Sequence, residues 1–295
     1  MSPNRSILFV PGNKPDWMEK AVKYGADVLV LDLEDSIPDM EKTASRSLVK
    51  NSLKYLHKKN QVCDVRVNSF ASGLTLDDLD GVMCPEINNI IMPKVETVKD
   101  MKELDTLLTS LEKKNDMKTG VIKTSLGIET AKALRNAYDI IVSCERVTSL
   151  SLAAGPGGDA SRSMGYTWSK KGTETLYIKS KAVLDARAGG IQFPTISSWW
   201  NIHDLEGLEQ DAYFNRHLGF RGQVVIHPSH VPIVNKVFTP TIEEITFFKE
   251  LIETFEAAEK KGSAAVVYRG DMIDYAMVKT AREMLSFAES IGLTI

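Results

Sequence analysis

The chain has 295 residues, of which 43% are hydrophobic and 25% are charged, and its formal net charge is −3. This length and apolar content suffice for one large core, while the small net charge gives no support for a basic nucleic-acid-binding surface. No apolar run reaches the ~18 residues of a membrane span, so we expect no membrane segment. The N-terminus lacks a signal-peptide pattern and the three cysteines lack metal-ligand spacing, which together favour the reducing cytoplasm.

The first predicted unit consists of a strand, a helix and a second strand. A short apolar strand over residues 6–12 ends in a Pro-Gly turn, and a helical pattern follows over residues 15–24. Residues 28–33 then form a continuous apolar run that is typical of a strand buried on both faces of a parallel sheet. Because strand side chains alternate, one face is predicted to carry the valines with Asp32 and Glu34, and the leucines of the other face to pack on helices.

The same alternation continues to residue 228. Further strands are predicted over residues 61–68, 89–96, 121–130, 147–154, 191–196 and 222–228. The intervening helices are predicted over residues 42–58, 76–79, 98–113, 131–142, 174–188 and 205–218. Eight strands alternating with helices predict an α/β fold, a (β/α)8 TIM barrel, with a doubly wound open sheet as the alternative.

The remainder of the chain has a different pattern. A long helix is predicted over residues 241–260, a hairpin or turn over residues 264–274 and a last helix over residues 278–291. This piece exceeds what a minimal barrel needs, and it is free to cover the open face of its own barrel or of a neighbour's. We therefore predict a catalytic barrel over residues 1–238 and a C-terminal helical extension, or lid, over residues 239–295.

Polar residues gather at the predicted carboxyl ends of the strands, which is the end of a TIM barrel that binds ligands. They are Asp32, Glu34, Arg66, Asn68, Lys94, Glu96, Glu129 and Asp159. Glu129 and Asp159 follow neighbouring strands and offer oxygen ligands. Such a pair of carboxylates, with positions left for water and substrate, suits Mg²⁺.

A series of short motifs runs from residue 5 to the last helix. They are RSILFVPG (5–12), GADVLVLDLEDS (25–36), RVN (66–68), MPKVE (92–96), GIET (127–130), DLEGL (204–208), LGF (218–220), IHP (226–228) and MID (272–274). In this order they resemble the citrate lyase β-subunit-like proteins of the HpcH/HpaI aldolase family, which are grouped with malyl-CoA and citramalyl-CoA lyases. The resemblance covers nearly the whole chain.

This resemblance implies a Mg²⁺-dependent carbon–carbon lyase, or the reverse Claisen-type condensation of a keto acid with acetyl-CoA. Its substrate would be a 3-hydroxyacyl thioester such as malyl-CoA, citramalyl-CoA or a citryl thioester. By position, Glu129 and Asp159 resemble the metal ligands. Arg66 resembles the arginine that stabilises the thioester enolate, and Glu34 resembles an acidic residue near the metal-bound water.

The resemblance also assigns residues at the two ends of the chain. Asp274 resembles the aspartate of a C-terminal lid that moves the proton at the acyl α-carbon. Many relatives take this aspartate from an adjacent subunit, which implies a homo-oligomer, a trimer or a hexamer. Arg5 and Lys14 are implied as contacts to the substrate or to CoA phosphates.

Three departures from the family's pattern concern the substrate, and one of them is the unusual pair Trp199-Trp200, which would narrow the pocket. Gly158 precedes Asp159 where relatives carry an acidic residue, and residues 14–17 read Lys-Pro-Asp-Trp where relatives have Arg-Pro-Glu-Arg. Two alternatives therefore stay open, a CoA-independent aldolase acting on a small 2-keto-3-hydroxy acid and a protein that binds a keto acid or CoA without turnover. The retained Arg66, Glu129, Asp159 and Asp274 argue against the second, because a protein that only binds has no need of an acid–base group on a lid.

Overall fold

The structure is a computed structural model that describes residues 4–293. Within these residues, eight parallel strands close into one barrel in chain order, which confirms the predicted (β/α)8 architecture and excludes the open sheet. The strands are β1 (Ser6–Pro11), β2 (Val28–Asp32), β3 (Val62–Arg66), β4 (Asn89–Met92), β5 (Lys123–Ile128), β6 (Val147–Leu152), β7 (Thr195–Ile196) and β8 (Gly222–Val225). Since all of them run the same way, their carboxyl ends meet on one face.

Helices follow the strands along the chain. They are α1 (Pro15–Ala21), α2 (Lys42–His57), α3 (Thr75–Val82), α4 (Val98–Lys114), α5 (Ala131–Arg135), α6 (Ala137–Val142), α7 (Asp159–Met164), α8 (Leu176–Ala188), α9 (Leu205–Leu218) and α10 (Val231–Phe238). None of the helices formed by residues 4–293 combines the length and the apolar character that crossing a bilayer requires.

Strand β2 separates two layers of apolar packing. Leu29, Leu31 and Leu33 belong to the large cluster that also contains residues of α1, α2 and α4. Val28 and Val30 belong to a second, smaller cluster with residues of β1, on the other face of the strand. The predicted alternation of this strand is confirmed, and it directs Asp32 to the same face as the valines.

The observed boundaries differ from the predicted ones by a few residues at several elements, and three further differences concern β7, the helix predicted over residues 131–142 and two additional helices. β7 contains only two residues, because Pro194 directly before it has no N–H to donate to a neighbouring strand. The single helix predicted over residues 131–142 is divided into α5 and α6 at Asn136, whose φ of −103° and ψ of 7° depart from helical values. The helices α7 and α10 were not predicted, since α7 has only six residues and follows a glycine-rich loop.

The chain divides into two compact units, and the second begins at Thr239. It contains α11 (Ile242–Glu259), the antiparallel strands β9 (Val266–Tyr268) and β10 (Asp271–Ile273), and α12 (Tyr275–Ser290). Leu251 and Phe255 of α11 pack with Ile273 and Val278 in a small core of its own. The predicted order of helix, hairpin and helix is therefore present in this unit.

Candidate active site

The centre of the candidate site is a contact between β2 and β3. Asp32 and Arg66 are neighbours in the parallel register of these strands. The Arg66 guanidinium donates two hydrogen bonds to the Asp32 carboxylate, from Nε to Oδ1 at 2.6 Å and from Nη2 to Oδ2 at 2.8 Å. Its third nitrogen lies 2.9 Å from Glu34 and 3.4 Å from Asp35. Phe9 lies 5.0 Å from the guanidinium carbon, so Arg66 is held by charge and by a ring face.

A buried lysine joins the ends of β2 and β3. Lys42 lies in the first turn of α2, and its ammonium donates hydrogen bonds to the backbone oxygens of Leu33 (3.2 Å) and Glu34 (2.8 Å). A third hydrogen bond, 2.7 Å long, goes to Asn68 Oδ1, and Asn68 in turn donates to Asp78 at 2.6 Å. The sequence pattern places Asn68 at a strand end but gives no signal for Lys42, because a lysine at the start of a helix resembles any surface lysine.

The loops after β4 and β6 meet through an ion pair. Lys94 Nζ lies 2.9 Å from Asp159 Oδ2 and 3.9 Å from Glu34 Oε1. Asp159 is the first residue of α7 and also pairs with Arg162 in the same helix. The φ of Lys94 is 57°, a left-handed conformation that is uncommon for residues other than glycine. With this conformation the chain turns away just after β4, and the ammonium of Lys94 lies near both Asp159 and Glu34.

Glu129 directly follows β5 and differs from the other acids. Its carboxylate makes no hydrogen bond or ion pair with any residue in the described part of the chain, and only the charges of groups such as Arg66 and Lys94 act on it. The side chain lies over Gly127, where an added Cβ would be 3.6 Å from Glu129 Oε1. A carboxylate that is mostly removed from water without a partner is costly, so its oxygens are available for a bound cation.

Arg66, Glu129 and Asp159 line one cavity of about 380 Å³. Trp200 forms part of its wall and lies against Gly155, where an added Cβ would be 2.7 Å from the indole nitrogen. Any larger residue at position 155 would require Trp200 to shift. The cavity therefore has a charged side, which β3, β5 and α7 supply, and an aromatic side.

The acids of the site differ in their pKa values. Burial raises the pKa of Glu34 to about 8, although the positive charge of Arg66 opposes the increase. Burial also raises the pKa of Glu129, again against the charge of Arg66. Burial would raise the pKa of Asp32 too, but there the charge and hydrogen bonds of Arg66 prevail and the pKa is lowered. For Asp159, burial is likewise outweighed, here by Lys94 and Arg162, and the pKa is lowered.

The donor set fits a hard divalent cation with few protein ligands. Among residues 4–293, no group of three or more His, Cys, Asp or Glu side chains is arranged to hold a metal ion. Glu129 and Asp159 nevertheless offer two carboxylates to one cavity, and Mg²⁺ in proteins commonly uses one or two carboxylates and completes its shell with water and substrate. The unpartnered carboxylate of Glu129 supports this fit.

The remaining predicted residues lie elsewhere. Arg5 precedes β1 and forms an ion pair with Asp27 at 2.7 Å, at the amino end of the strands, and it does not line the cavity. The structure therefore does not bring Arg5 to the site. Lys14 is exposed in the loop after β1. Asp274 lies in the second unit, where its Oδ1 accepts hydrogen bonds from the N–H groups of Ala276 (2.9 Å) and Met277 (3.2 Å) and caps α12.

A family model of the HpcH/HpaI aldolase/citrate lyase family matches residues 5–228. The chain belongs to this family. The motif-based resemblance is thereby confirmed, and the match ends at the carboxyl end of the region that contains the eight barrel strands.

Individual relatives of this family match nearly the full chain. The citrate lyase subunit beta of Leuconostoc mesenteroides subsp. cremoris is 32% identical over 287 residues, which are 97% of this chain and 93% of the relative. The mitochondrial citramalyl-CoA lyase of Mus musculus is 30% identical over 303 residues, covering 98% of this chain and 87% of the relative. The crystal structure of CitE from Mycobacterium tuberculosis in complex with magnesium, acetoacetate and coenzyme A shares the fold, with a TM-score of 0.71, 23% identity and 98% coverage of both chains.

Proposed function

We propose that this chain is a Mg²⁺-dependent carbon–carbon lyase that cleaves or forms a 3-hydroxyacyl-CoA thioester, such as malyl-CoA, citramalyl-CoA or a citryl thioester, from a keto acid and acetyl-CoA. The observation that carries the proposal is the convergence of Arg66, Glu129 and Asp159 on one cavity at the carboxyl end of the barrel. Membership of the family and the activities named for its relatives support it.

Glu129 and Asp159 are the proposed metal ligands. Bound Mg²⁺ would supply a positive charge that polarises the keto group and offsets the carboxylate of the keto acid. In the structure Lys94 contacts Oδ2 of Asp159, and Arg162 contacts Oδ1. Lys94 would therefore share this carboxylate with the metal, and its ammonium would remain near the negative groups of the substrate.

Arg66 is the proposed stabiliser of the enolate. In the cleavage direction, the bond between the hydroxyl-bearing carbon and the thioester α-carbon breaks, and its electron pair passes to the thioester enolate. The hydroxyl oxygen becomes the keto oxygen as its proton passes to water, and the enolate then takes up a proton at the α-carbon. A donor fixed in advance where this charge develops lowers the barrier. Asp32 fixes two nitrogens of Arg66, so the third is the one directed toward the reacting groups. Glu34, which contacts that nitrogen, is the proposed acidic residue near the metal-bound water.

The second unit is the proposed lid of the site. We assign residues 1–238 to the catalytic barrel and residues 239–295 to the lid. We infer that the protein is a cytoplasmic homotrimer or hexamer in which a neighbouring subunit supplies Asp274 to the site. Both capping hydrogen bonds go to Asp274 Oδ1, which leaves Oδ2 to exchange a proton with the acyl α-carbon. Met272 and Tyr275 beside it are 70% and 56% exposed, as apolar side chains that dock on another surface would be.

The CoA end of the substrate is assigned to the loop after β1. Lys14 is exposed there at the same end of the barrel as the cavity, and its ammonium is the proposed contact to CoA phosphates. Arg5 is left out of this assignment, because its ion pair with Asp27 lies at the other end of the strands.

A panel of acyl donors and keto acids tests this function. The protein is incubated with Mg²⁺, acetyl-CoA or propionyl-CoA, and glyoxylate, pyruvate or oxaloacetate, and new acyl-CoA masses are measured with and without a chelator. Mg²⁺-dependent formation of a 3-hydroxyacyl-CoA by the wild type, and its loss in Glu129→Gln, is the expected result. A parallel incubation supplies 2-keto-3-hydroxy acids without CoA, and their cleavage would instead identify an aldolase. Binding without any product would identify a non-catalytic protein.

A further inference from the structure

The cavity extends past the charged groups into the interior of the barrel. Along β5 and β6 its wall is made of small residues, which are Ser125, Gly127, Ser149, Ser151 and Ala153. The hydroxyl oxygens of Ser125 and Ser149 lie 2.7 Å apart. An added Cβ on Gly127 would meet nothing nearer than 3.6 Å. Protein interiors are normally close-packed, so this row of small side chains leaves space for a ligand group below Glu129.

A carboxylate lies in the wall of this inner part. Asp64 is on β3, two residues before Arg66, and is only 4% exposed. Its Oδ1 accepts hydrogen bonds from Asn88 Nδ2 (3.0 Å), Asn89 N (3.1 Å) and Asn89 Nδ2 (3.1 Å). Its Oδ2 accepts a hydrogen bond only from Asn89 Nδ2, also at 3.1 Å. Residues that share one face of a strand at this spacing are roughly 6–7 Å apart.

No cation compensates Asp64 within the described residues, since none of the ion pairs there includes it. By contrast, four acids near the site are each paired with Arg66 or Lys94, and these are Asp32, Glu34, Asp35 and Asp159. Burial raises the pKa of Asp64 to about 6, with the amides of Asn88 and Asn89 opposing the increase. All four hydrogen bonds at its two oxygens come from N–H donors of these asparagines, as a carboxylate requires. A buried anion without a countercharge in the wall of a cavity is costly, and a hydrogen-bond donor on a ligand would lower that cost.

We propose that the inner cavity is a subsite for the side chain of the keto acid, and that Asp64 selects a side chain ending in a hydrogen-bond donor, a hydroxyl or an ammonium group. This inference rests on the proposed lyase function, which assigns the keto acid to Glu129 and Asp159. Gly127 and Ser125 continue inward from Glu129 along β5 and line the same cavity, so the space beside them is open to a substituent of a keto acid held at Glu129. A keto-acid side chain of about four to five atoms would span the distance from the level of Arg66 to Asp64, given bonds near 1.5 Å.

The side chains of glyoxylate, pyruvate and oxaloacetate are too short to reach Asp64, so the preference applies only to longer 2-oxo acids. For these, the competing end groups are disfavoured for physical reasons. A terminal carboxylate would face Asp64 as a like charge. A terminal methyl group would remove water from the carboxylate without replacing its hydrogen bonds. A site built to pair with a polar group discriminates strongly against an analogue that lacks it.

Binding calorimetry of Mg²⁺-loaded protein tests the subsite. The probes are 2-oxo acids of one chain length that end in a methyl, hydroxyl, ammonium or carboxylate group. We expect the hydroxyl or the ammonium compound to bind at least 10-fold tighter than the methyl compound, and the carboxylate compound to bind most weakly. Asp64→Asn should reduce the preference for ammonium over methyl about 10-fold, and Asp64→Val should remove the preference for hydroxyl as well. Asp77→Asn, an exposed aspartate on α3, is the matched control and should leave these ratios unchanged.

A second variant tests the space rather than the charge. Ser149→Val fills part of the inner cavity and should weaken the binding of the long 2-oxo acids relative to pyruvate. It also keeps the test decisive if Asp64→Val fails to fold. Equal affinity for the methyl, hydroxyl and ammonium compounds in the wild type would overturn the subsite, as would a preference that persists in Asp64→Asn. Absence of lyase turnover with an intact binding preference would overturn the proposed function alone.

Discussion

Arg66 and Asp32 form a two-point ion pair, with hydrogen bonds of 2.6 Å and 2.8 Å, between adjacent residues of two barrel strands. The pair is nearly removed from water, since the side chain of Asp32 is 1% exposed and that of Arg66 is 14% exposed. A planar guanidinium held at two nitrogens cannot rotate, so the direction of the third is fixed before any substrate binds. Preorganisation of this kind is what separates a catalytic donor from a binding residue.

Arg66→Lys should lower kcat more than it raises KM. Lysine keeps the positive charge but loses the fork that Asp32 orients, and loss of one oxyanion donor typically costs on the order of 10²-fold or more in kcat. Steady-state kinetics with the substrate pair found in the panel measure both constants. The matched control is Arg146→Lys, which disturbs a buried ion pair with Glu112 outside the cavity and should lower the melting temperature only. A nearly normal kcat with a raised KM would make Arg66 a binding residue.

Glu129→Gln should weaken Mg²⁺ binding by at least 10-fold. The substitution keeps the size of the side chain and removes the charge of a carboxylate that has no partner among the described residues. Titration calorimetry of metal-free protein with Mg²⁺ measures the effect without any substrate. Glu96→Gln is the control, because Glu96 accepts a hydrogen bond from Thr130 and contacts Lys132 instead of lining the cavity. Unchanged affinity in Glu129→Gln would exclude Glu129 as a ligand.

Lys42→Met should lower kcat although Lys42 does not line the cavity. The substitution removes three hydrogen bonds that join the ends of β2 and β3, so Glu34 and Arg66 lose their fixed spacing. Leaving buried acceptors unpaired also costs about 1–3 kcal/mol of stability. Kinetics measured well below the melting temperature separate the two effects. Lys54 is an exposed lysine of the same helix, and Lys54→Met should change neither kcat nor stability. A Lys42→Met variant with normal kcat would limit Lys42 to a structural role.

The stability of the metal-free protein should decrease as the pH rises from about 5 to about 8. Burial raises the pKa of Glu34 from 4.5 in the unfolded chain to about 8 in the folded chain, so the folded state binds more protons across this window. The free energy of unfolding then falls with increasing pH, by at most about 1.4 kcal/mol per pH unit. Thermal melts of wild type and Glu34→Gln at several pH values measure this difference. A wild-type curve parallel to that of Glu34→Gln would show that Glu34 stays ionised in the folded state.

The sequence predicted the barrel because the information is local. The alternation in residues 28–33 and the repeated strand–helix pattern are properties of neighbouring residues, and they place Asp32 and Arg66 at strand ends. The partners of these residues are not local. Lys42 reaches Asn68 across 26 positions, and the left-handed conformation of Lys94 has no sequence signal. Asp64 was overlooked because an aspartate inside a predicted strand gives no sign that it faces a cavity rather than a cation.

The last prediction concerns the lid. If a neighbouring subunit supplies Asp274, subunits that are inactive alone should restore activity when mixed. Asp274→Asn is the suitable variant, because asparagine keeps the cap of α12 and removes the acid. Glu129→Gln supplies the other inactive subunit. In a mixed oligomer, a Glu129→Gln subunit can lend its intact Asp274 to a neighbour that retains Glu129, and that shared site is wild type in both positions.

The experiment mixes the two variants under conditions that allow subunit exchange, and native mass spectrometry confirms the mixed oligomers. Random exchange in a trimer with directional sharing should restore a fraction of wild-type activity on the order of one quarter, since the two required partners meet with a probability of one half each. Each variant exchanged with itself is the control and should remain inactive. A site completed within one chain stays inactive in every mixture, because no subunit then carries both Glu129 and Asp274. Confirmed mixed oligomers without restored activity would therefore place Asp274 in the same chain as the metal ligands it serves.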